Sequence, residues 1–278
     1  MEKIKLIALP CAGASAMMYK QWNSLIDENI EIVPIEMPGR GLRFKDKVAE
    51  NMEELKADIM PQILPIIEDG NYALIGFCFG ASVIYDIYRT LKLEGYKLPK
   101  YIIIGSSSVP GVHIKSEKLF QMSNIKIVWA LIGAFSFNVI SANNEEQNLI
   151  KALLSMINPD VKEKYEKMSV LDLIIGFLWS RSWQSKYCQT VLRILKADGK
   201  ILYQYDCNAD EVHIEVPMLL IHGKDDNLIS LPDMEHWQDI SDNEFNLVEV
   251  KGGHMMVFDY YEEVVSLINS KLSLEVRM

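Results

Sequence analysis

Residues 72–85 read YALIGFCFGASVIY, and the folding of GFCFG at their centre decides how the rest of the chain is read. Tyr72 to Ile75 is a short apolar run of the kind that forms a buried strand. A glycine stops it, Cys78 follows between two phenylalanines, and a second glycine opens Gly80 to Leu93, where the apolar residues recur at helical spacing. A strand that turns at once into a helix makes a sharp turn, which small residues on either side of its tip permit. The side chain at the tip is then presented rather than buried. It also sits at a helix N-terminus, whose positive end favours thiolate over thiol. A buried structural cysteine gives the same pentapeptide, because free cysteines are among the most buried residue types. The choice between the two rests on what the remainder of the chain supplies.

At 278 residues the chain is long enough for one large α/β domain, or a domain carrying an insertion. A hydrophobic share of 49% against 24% charged is that of a globular protein with an ample core, which excludes a disordered or fibrous class. The formal charge of -10 argues against a nucleic-acid or anionic-membrane partner held by the overall field. The N-terminal MEKIKLIALP holds an apolar run too short for a signal-peptide core, so the expectation is a cytoplasmic protein. Cys11, Cys78, Cys188 and Cys207 form no CxxC pair and no ligand spacing with histidine, so neither a disulfide framework nor a metal site is expected.

Short apolar runs at Lys5–Leu9, Ile30–Ile35, Tyr72–Gly76, Tyr101–Gly105, Met218–His222 and Phe245–Val250 read as strands. Helical spacing occupies Ala16–Ile26, Met52–Ile67, Gly80–Leu93, Asp233–Ile240 and Tyr260–Leu272. Alternation of this kind predicts βαβ units: a mostly parallel central sheet with helices on both faces. From about 116 to 196 no strand pattern is present. That segment carries two apolar patches, IVWALIGAFSFNVI (127–140) and VLDLIIGFLW (170–179), both too short to span a bilayer. It is expected to be a helical insertion within a single domain covering 1–278, capping one end of the sheet. Trp129, Phe135, Phe137, Phe177 and Trp179 are read there as core residues, with the segment also walling an apolar channel.

Two further stretches complete the reading of Cys78. VPMLLIHGKDDNLIS (216–230) puts a strand before Gly223 and an aspartate three residues later; FNLVEVKGGHMMVFD (245–259) puts a strand before Gly252, Gly253 and His254. Nucleophile, acid, histidine, each just past the C-terminal end of a strand, is the order of the α/β-hydrolases. The Gly-x-x-Asp spacing selects Asp226 over Asp225. His222 ends a strand, and His113, His213 and His236 lie among polar residues, so structural or solvated roles are expected for them.

With these motifs the chain resembles the type II thioesterases, discrete hydrolases that accompany nonribosomal peptide and polyketide synthases. The family's Pro-x-Ala-Gly-x-Ser is matched by PCAGAS (Pro10–Ser15), followed by Tyr19 and Trp22. Its Pro-Gly-Arg-Gly-x-Arg is matched by PGRGLR (Pro38–Arg43), and its Gly-x-Asp-Asp and Gly-Gly-His elements by GKDD and GGH, with Trp237 between them. Two features depart from the pattern: the elbow, usually Gly-His-Ser-Met-Gly, is GFCFG, and the middle insertion is longer and more apolar. Arg40 and Arg43 are open to two readings, solvated residues of a surface turn or part of the frame of the site.

The resemblance implies an acyl thioester substrate on the phosphopantetheine arm of an acyl or peptidyl carrier protein, with no other cofactor. It implies Cys78 as nucleophile, His254 as base and Asp226 as its orienting acid, with the backbone N–H groups of Phe79 and Ala12 as the oxyanion hole. Cys11 then lies near Cys78, read as an accident of structure rather than a redox partner. An acyl–cysteine intermediate is itself a thioester and retains its group-transfer potential. Acyl transfer or cyclisation onto an amine, alcohol or carbon nucleophile therefore stands beside hydrolysis, and a non-catalytic carrier-binding module is a third reading that an intact triad opposes.

Overall fold

Helical and extended stretches alternate along the chain and build a single layer of strands between two layers of helices. The structure, a computed structural model, describes residues 3–110, 186–205, 207, 212–226 and 228–275. Strands β1 (Ile4–Leu9), β2 (Ile30–Pro34), β3 (Tyr72–Phe77), β4 (Tyr101–Gly105), β5 (Met218–Gly223) and β6 (Phe245–Val250) form one sheet in the order β2-β1-β3-β4-β5-β6. Every pairing between them is parallel. A parallel sheet is covered on both faces, so its inner strands are apolar without alternation. β3, β4 and β5 are buried at every position, whereas the edge strands β2 and β6 are largely half-open.

The helices are α1 (Met52–Ile67), α2 (Phe79–Leu93), α3 (Lys186–Gln204), α4 (Leu231–Glu235), α5 (Met256–Asp259) and α6 (Tyr261–Glu275). Ile7, Leu74, Ile102, Ile104 and Leu220 pack with α1 and α2 on one face. Leu6, Ala73, Ile75, Ile103 and Leu219 pack with Trp22 and with Val264 and Ile268 of α6 on the other. Sequence neighbours go to opposite faces, the period of two that a strand imposes. In α1 the prolines at 61 and 65 each cost about 3 kcal/mol in a helix interior. The stripe Met52, Leu55, Ile59, Ile63 and Ile67, all buried, offsets that cost, and Asn51 caps the helix by accepting from Glu54 N at 2.8 Å.

The stretch expected as an ordinary helix at Ala16–Ile26 is instead a 3₁₀ helix over Ala16–Ser24. Three residues per turn eclipse positions i and i+3, which puts Tyr19 and Trp22 on the same side; their rings meet edge to face at 5.0 Å, and both are buried. Likewise Asp233–Ile240 begins earlier than expected. Ser230 and Asp233 form a reciprocal cap that starts α4 at Leu231, and His236–Ile240 continues as a 3₁₀ turn.

Residues Met1–Glu117 with Ala197–Met278 form one compact unit and Lys118–Lys196 another; the sheet belongs to the first. The helical insertion expected over about 116–196, with its five named aromatics, lies outside the described residues apart from the beginning of α3, and His113 lies outside them too. Among the described residues no helix is long and apolar enough to cross a membrane. Along the sheet the strand order reverses between β1 and β3. Connections leave in opposite directions there, which opens a crevice beyond the carboxyl ends of those two strands. The residues that follow β1 and β3 line it: Cys11 and Ala12 on one side, Cys78 and Phe79 on the other.

Candidate active site

β3 ends at Phe77, α2 starts at Phe79, and Cys78 is the whole connection between them. The turn forces its backbone to φ 53° and ψ −118°, a region that costs a non-glycine residue roughly 1–3 kcal/mol. The flanking glycines make that possible. A Cβ on Gly76 would run into the backbone of Gly80 and Ala81, and one on Gly80 would lie 2.5 Å from Leu9 O and 2.8 Å from Pro10 O. The Cys78 N–H donates to Gly105 O at 2.9 Å, which ties the tip to β4. Its thiol is half-buried rather than openly presented: the elbow is packed against the apolar cluster that also holds Cys11.

Asp226 follows β5 and His254 follows β6. Gly223 lets them approach, since any side chain there would overlap the carbonyls of Gly252 and Gly253. His254 Nδ1 lies 2.9 Å from Asp226 Oδ2 and 3.3 Å from Oδ1. The Asp226 side chain is fully buried, and Oδ1 also accepts from Leu228 N at 2.9 Å and Ile229 N at 3.0 Å. Burial acts to raise its pKa, but the His254 contact and the two N–H donors hold it below the ordinary carboxylate range. Asp225, the neighbour rejected on spacing, is exposed and does not reach His254.

The other side of His254 adjoins the Cys78 thiol, close enough for each to shift the other's pKa. Burial by itself pushes the Cys78 pKa up; the charge and hydrogen bond of His254 outweigh it, with the N–H groups of Phe79 and Ala12 adding to the lowering. Conversely, burial pulls the His254 pKa down, while the Cys78 charge and the Asp226 carboxylate carry it up to about 10. The two shifts run toward each other: His254 lowers the thiol and Cys78 raises the imidazole, which favours the thiolate–imidazolium form of the pair. Cys11 is held in the opposite state, its pKa raised by burial and by the neighbouring Cys78 charge.

Two backbone N–H groups, from Phe79 at the helix start and Ala12 beyond β1, thus act on the Cys78 thiol and lower its pKa. The turn carrying Ala12 is closed by a bond of its own and fastened from outside. Ala14 N donates to Cys11 O at 3.1 Å, Gly13 N to Asp198 Oδ2 at 2.8 Å, and Ala16 N to Glu36 Oε1 at 3.1 Å. Arg40 grips Asp198 with both terminal nitrogens, at 2.9 and 2.6 Å, and reaches Ala14 O at 3.3 Å.

A sequence model of the thioesterase domain matches residues 4–272. This chain belongs to the thioesterase domain family. It is a thioester hydrolase of the α/β-hydrolase type. Over 272 residues it is 20% identical to the gramicidin S biosynthesis protein GrsT of Aneurinibacillus migulanus, covering 98% of this chain and 90% of that one. It is 22% identical over 275 residues to the AMB antimetabolite synthetase AmbE of Pseudomonas aeruginosa, covering 99% of this chain but 11% of that protein's length. The crystal structure of ClbQ from the colibactin NRPS/PKS pathway shares the fold, with a TM-score of 0.76 and 20% identity across 100% of both chains.

Within this thioesterase, the solvated reading of Arg40 is wrong. The side chain is 4% exposed and paired with a carboxylate that is 0% exposed. Arg43 is part-buried, forked onto Asp58 and linked to Asp46, away from the thiol. Three histidines hold structural places. His222, buried, contacts Ile229 O through Nε2 at 3.0 Å, and His213 and His236 pair at the surface with Asp242 and Asp239. Sequence reasoning missed Asp198. It lies in KADGK on α3, far along the chain from PCAGAS and PGRG, and no local pattern marks it; only the contact with Arg40 does.

Proposed function

We propose that this thioesterase hydrolyses acyl thioesters carried on the phosphopantetheine arm of an acyl or peptidyl carrier protein, in editing or product release during polyketide or nonribosomal peptide assembly. The observation that carries the reading is the convergence of Cys78, His254 and two backbone N–H groups at one point, with Asp226 behind the imidazole. The biosynthetic setting is supported by relatives named for gramicidin S and colibactin pathways.

In this scheme the Cys78 thiolate attacks the thioester carbonyl carbon, and the oxygen, now negative, is held by the N–H groups of Phe79 and Ala12. Collapse breaks the bond to the arm's sulfur, which takes the proton from His254. The neutral imidazole then accepts a proton from water as its oxygen attacks the acyl–Cys78 carbonyl. A second collapse expels the Cys78 thiolate, releases the carboxylic acid and restores the imidazolium. Asp226 fixes the tautomer and balances the charge of His254 throughout.

A second reading has its own support in the thiol. The acyl–Cys78 bond is a thioester of about the same energy as the one it replaces, so an amine, alcohol or carbon nucleophile is able to take the acyl group in place of water. Incubation with an acyl-loaded carrier, with and without such an acceptor, separates the two. Free acid in both reactions supports hydrolysis; product formed only with acceptor supports transfer. Replacing Cys78 with serine sharpens the test, since an oxygen ester is a poorer donor. An unchanged ratio of transferred to hydrolysed product in Cys78→Ser would mean that the thiol is not there for group transfer.

A further inference from the structure

The PGRG loop contributes one buried charge to the catalytic unit, and its partner comes from a distant helix. Arg40 and Asp198 are both sealed from solvent, joined by two hydrogen bonds. A buried ion pair is weak evidence for stability, because desolvating both charges offsets most of their attraction. Among the described residues Arg40 Nε also has no hydrogen-bond partner, which makes the pair poorer still as a stabilising device. What the pair does reach is the turn after β1. Asp198 accepts the Gly13 N–H, and Arg40 donates to the Ala14 carbonyl. These contacts fix the Ala12–Gly13 and Ala14–Ser15 peptide units, both just after Ala12. With Gly13 at φ 74° the turn has conformational freedom to lose, and fixing the Gly13 N–H restricts the Ala12 backbone and so the direction of the Ala12 N–H.

We propose that Asp198, held by Arg40, is a positioning residue that aims the Ala12 N–H at the oxyanion formed on Cys78. The proposal rests on the catalytic reading above and adds a role for two residues that touch neither substrate nor thiol. Single substitutions would strand a buried charge, so the test uses paired ones. In Arg40→Met/Asp198→Leu the ion pair is replaced by apolar side chains of similar volume and the Gly13 N–H loses its acceptor. In Arg40→Met/Asp198→Asn a neutral amide oxygen remains for it.

With a small acyl thioester, the leucine double variant is expected to lose about 10- to 100-fold in kcat with KM within about two-fold, a misplaced oxyanion donor acting in the transition state alone. The asparagine double variant should recover to within about five-fold of wild type. Alkylation of Cys78 by iodoacetamide should persist in both, with at most a small upward move of its pH limb in the leucine variant, because His254, the main lowering influence on the thiol, is untouched. Equal turnover in the two double variants, or joint loss of kcat and alkylation, overturns the positioning role. Turnover that survives Cys78→Ala, run beside them, overturns the catalytic reading and this proposal with it, so the two failures give different patterns.

Discussion

The two sides of the crevice are built by opposite means. On the β3 side, the elbow Gly76–Gly80 owes its shape to neighbours in sequence: a one-residue connection, a strained backbone at Cys78, and two glycines whose missing side chains let the turn close on itself and on β1. On the β1 side, the turn Cys11–Ser15 owes its shape to groups far along the chain, with Glu36, Arg40 and Asp198 each taking a backbone partner. The first side is rigid because sterics leave no alternative. The second is tied down by a buried pair of charges and their backbone partners. A site assembled this way carries the Cys78 thiol on local geometry and the Ala12 N–H on tertiary contacts.

The largest break comes from the elbow itself. Cys78→Ala should lower kcat/KM on an acyl thioester by about 10⁴-fold or more with the fold intact by circular dichroism, since the glycines and strand remain. Mass spectrometry after brief exposure to substrate should find an acyl adduct on Cys78 and none on Cys11. Next is the electrostatic coupling. In the wild type, alkylation of Cys78 should rise with pH along a limb below the ordinary thiol value of 9.0, and kcat/KM should fall as His254 loses its proton near pH 10. His254→Gln removes the main lowering influence while burial remains, so the alkylation limb should move up, and turnover should drop about 10³-fold. A limb that stayed put would mean that His254 does not set the thiol's charge state.

Stability separates the two sides more directly. Asp198→Ala strands the Arg40 charge and should cost about 3–5 kcal/mol in urea unfolding. Gly80→Ala forces a methyl against the carbonyls beyond β1 and should cost about 1–3 kcal/mol, with a fall in alkylation of Cys78 as the elbow shifts. The smallest effect is expected at Arg43→Ala. Its fork onto Asp58 is part-exposed, and the loss should stay within about 1 kcal/mol with kcat unchanged. If Arg43→Ala matched Asp198→Ala, burial would not be what distinguishes the two arginines of PGRGLR.

Much of this protein is written locally. Apolar runs bounded by glycine or polar residues gave strands within a residue or two of those found, because a strand covered on both faces has to be apolar throughout. The elbow, the Gly-x-x-Asp spacing and the Gly-Gly-His turn were legible for a similar reason: each is a short-range steric requirement that few residue types meet. Period alone, however, did not distinguish the 3₁₀ turn at Tyr19 and Trp22 from an α-helix; packing of the two rings into the core decided it. Tertiary structure alone decided that Arg40 is buried, that Asp198 is its partner, and that His254 lowers the pKa of the Cys78 thiol. Those are facts about charges and donors separated by long stretches of chain, and only the folded sheet, by bringing the ends of β1, β3, β5 and β6 together, removes the water between them and makes them interact.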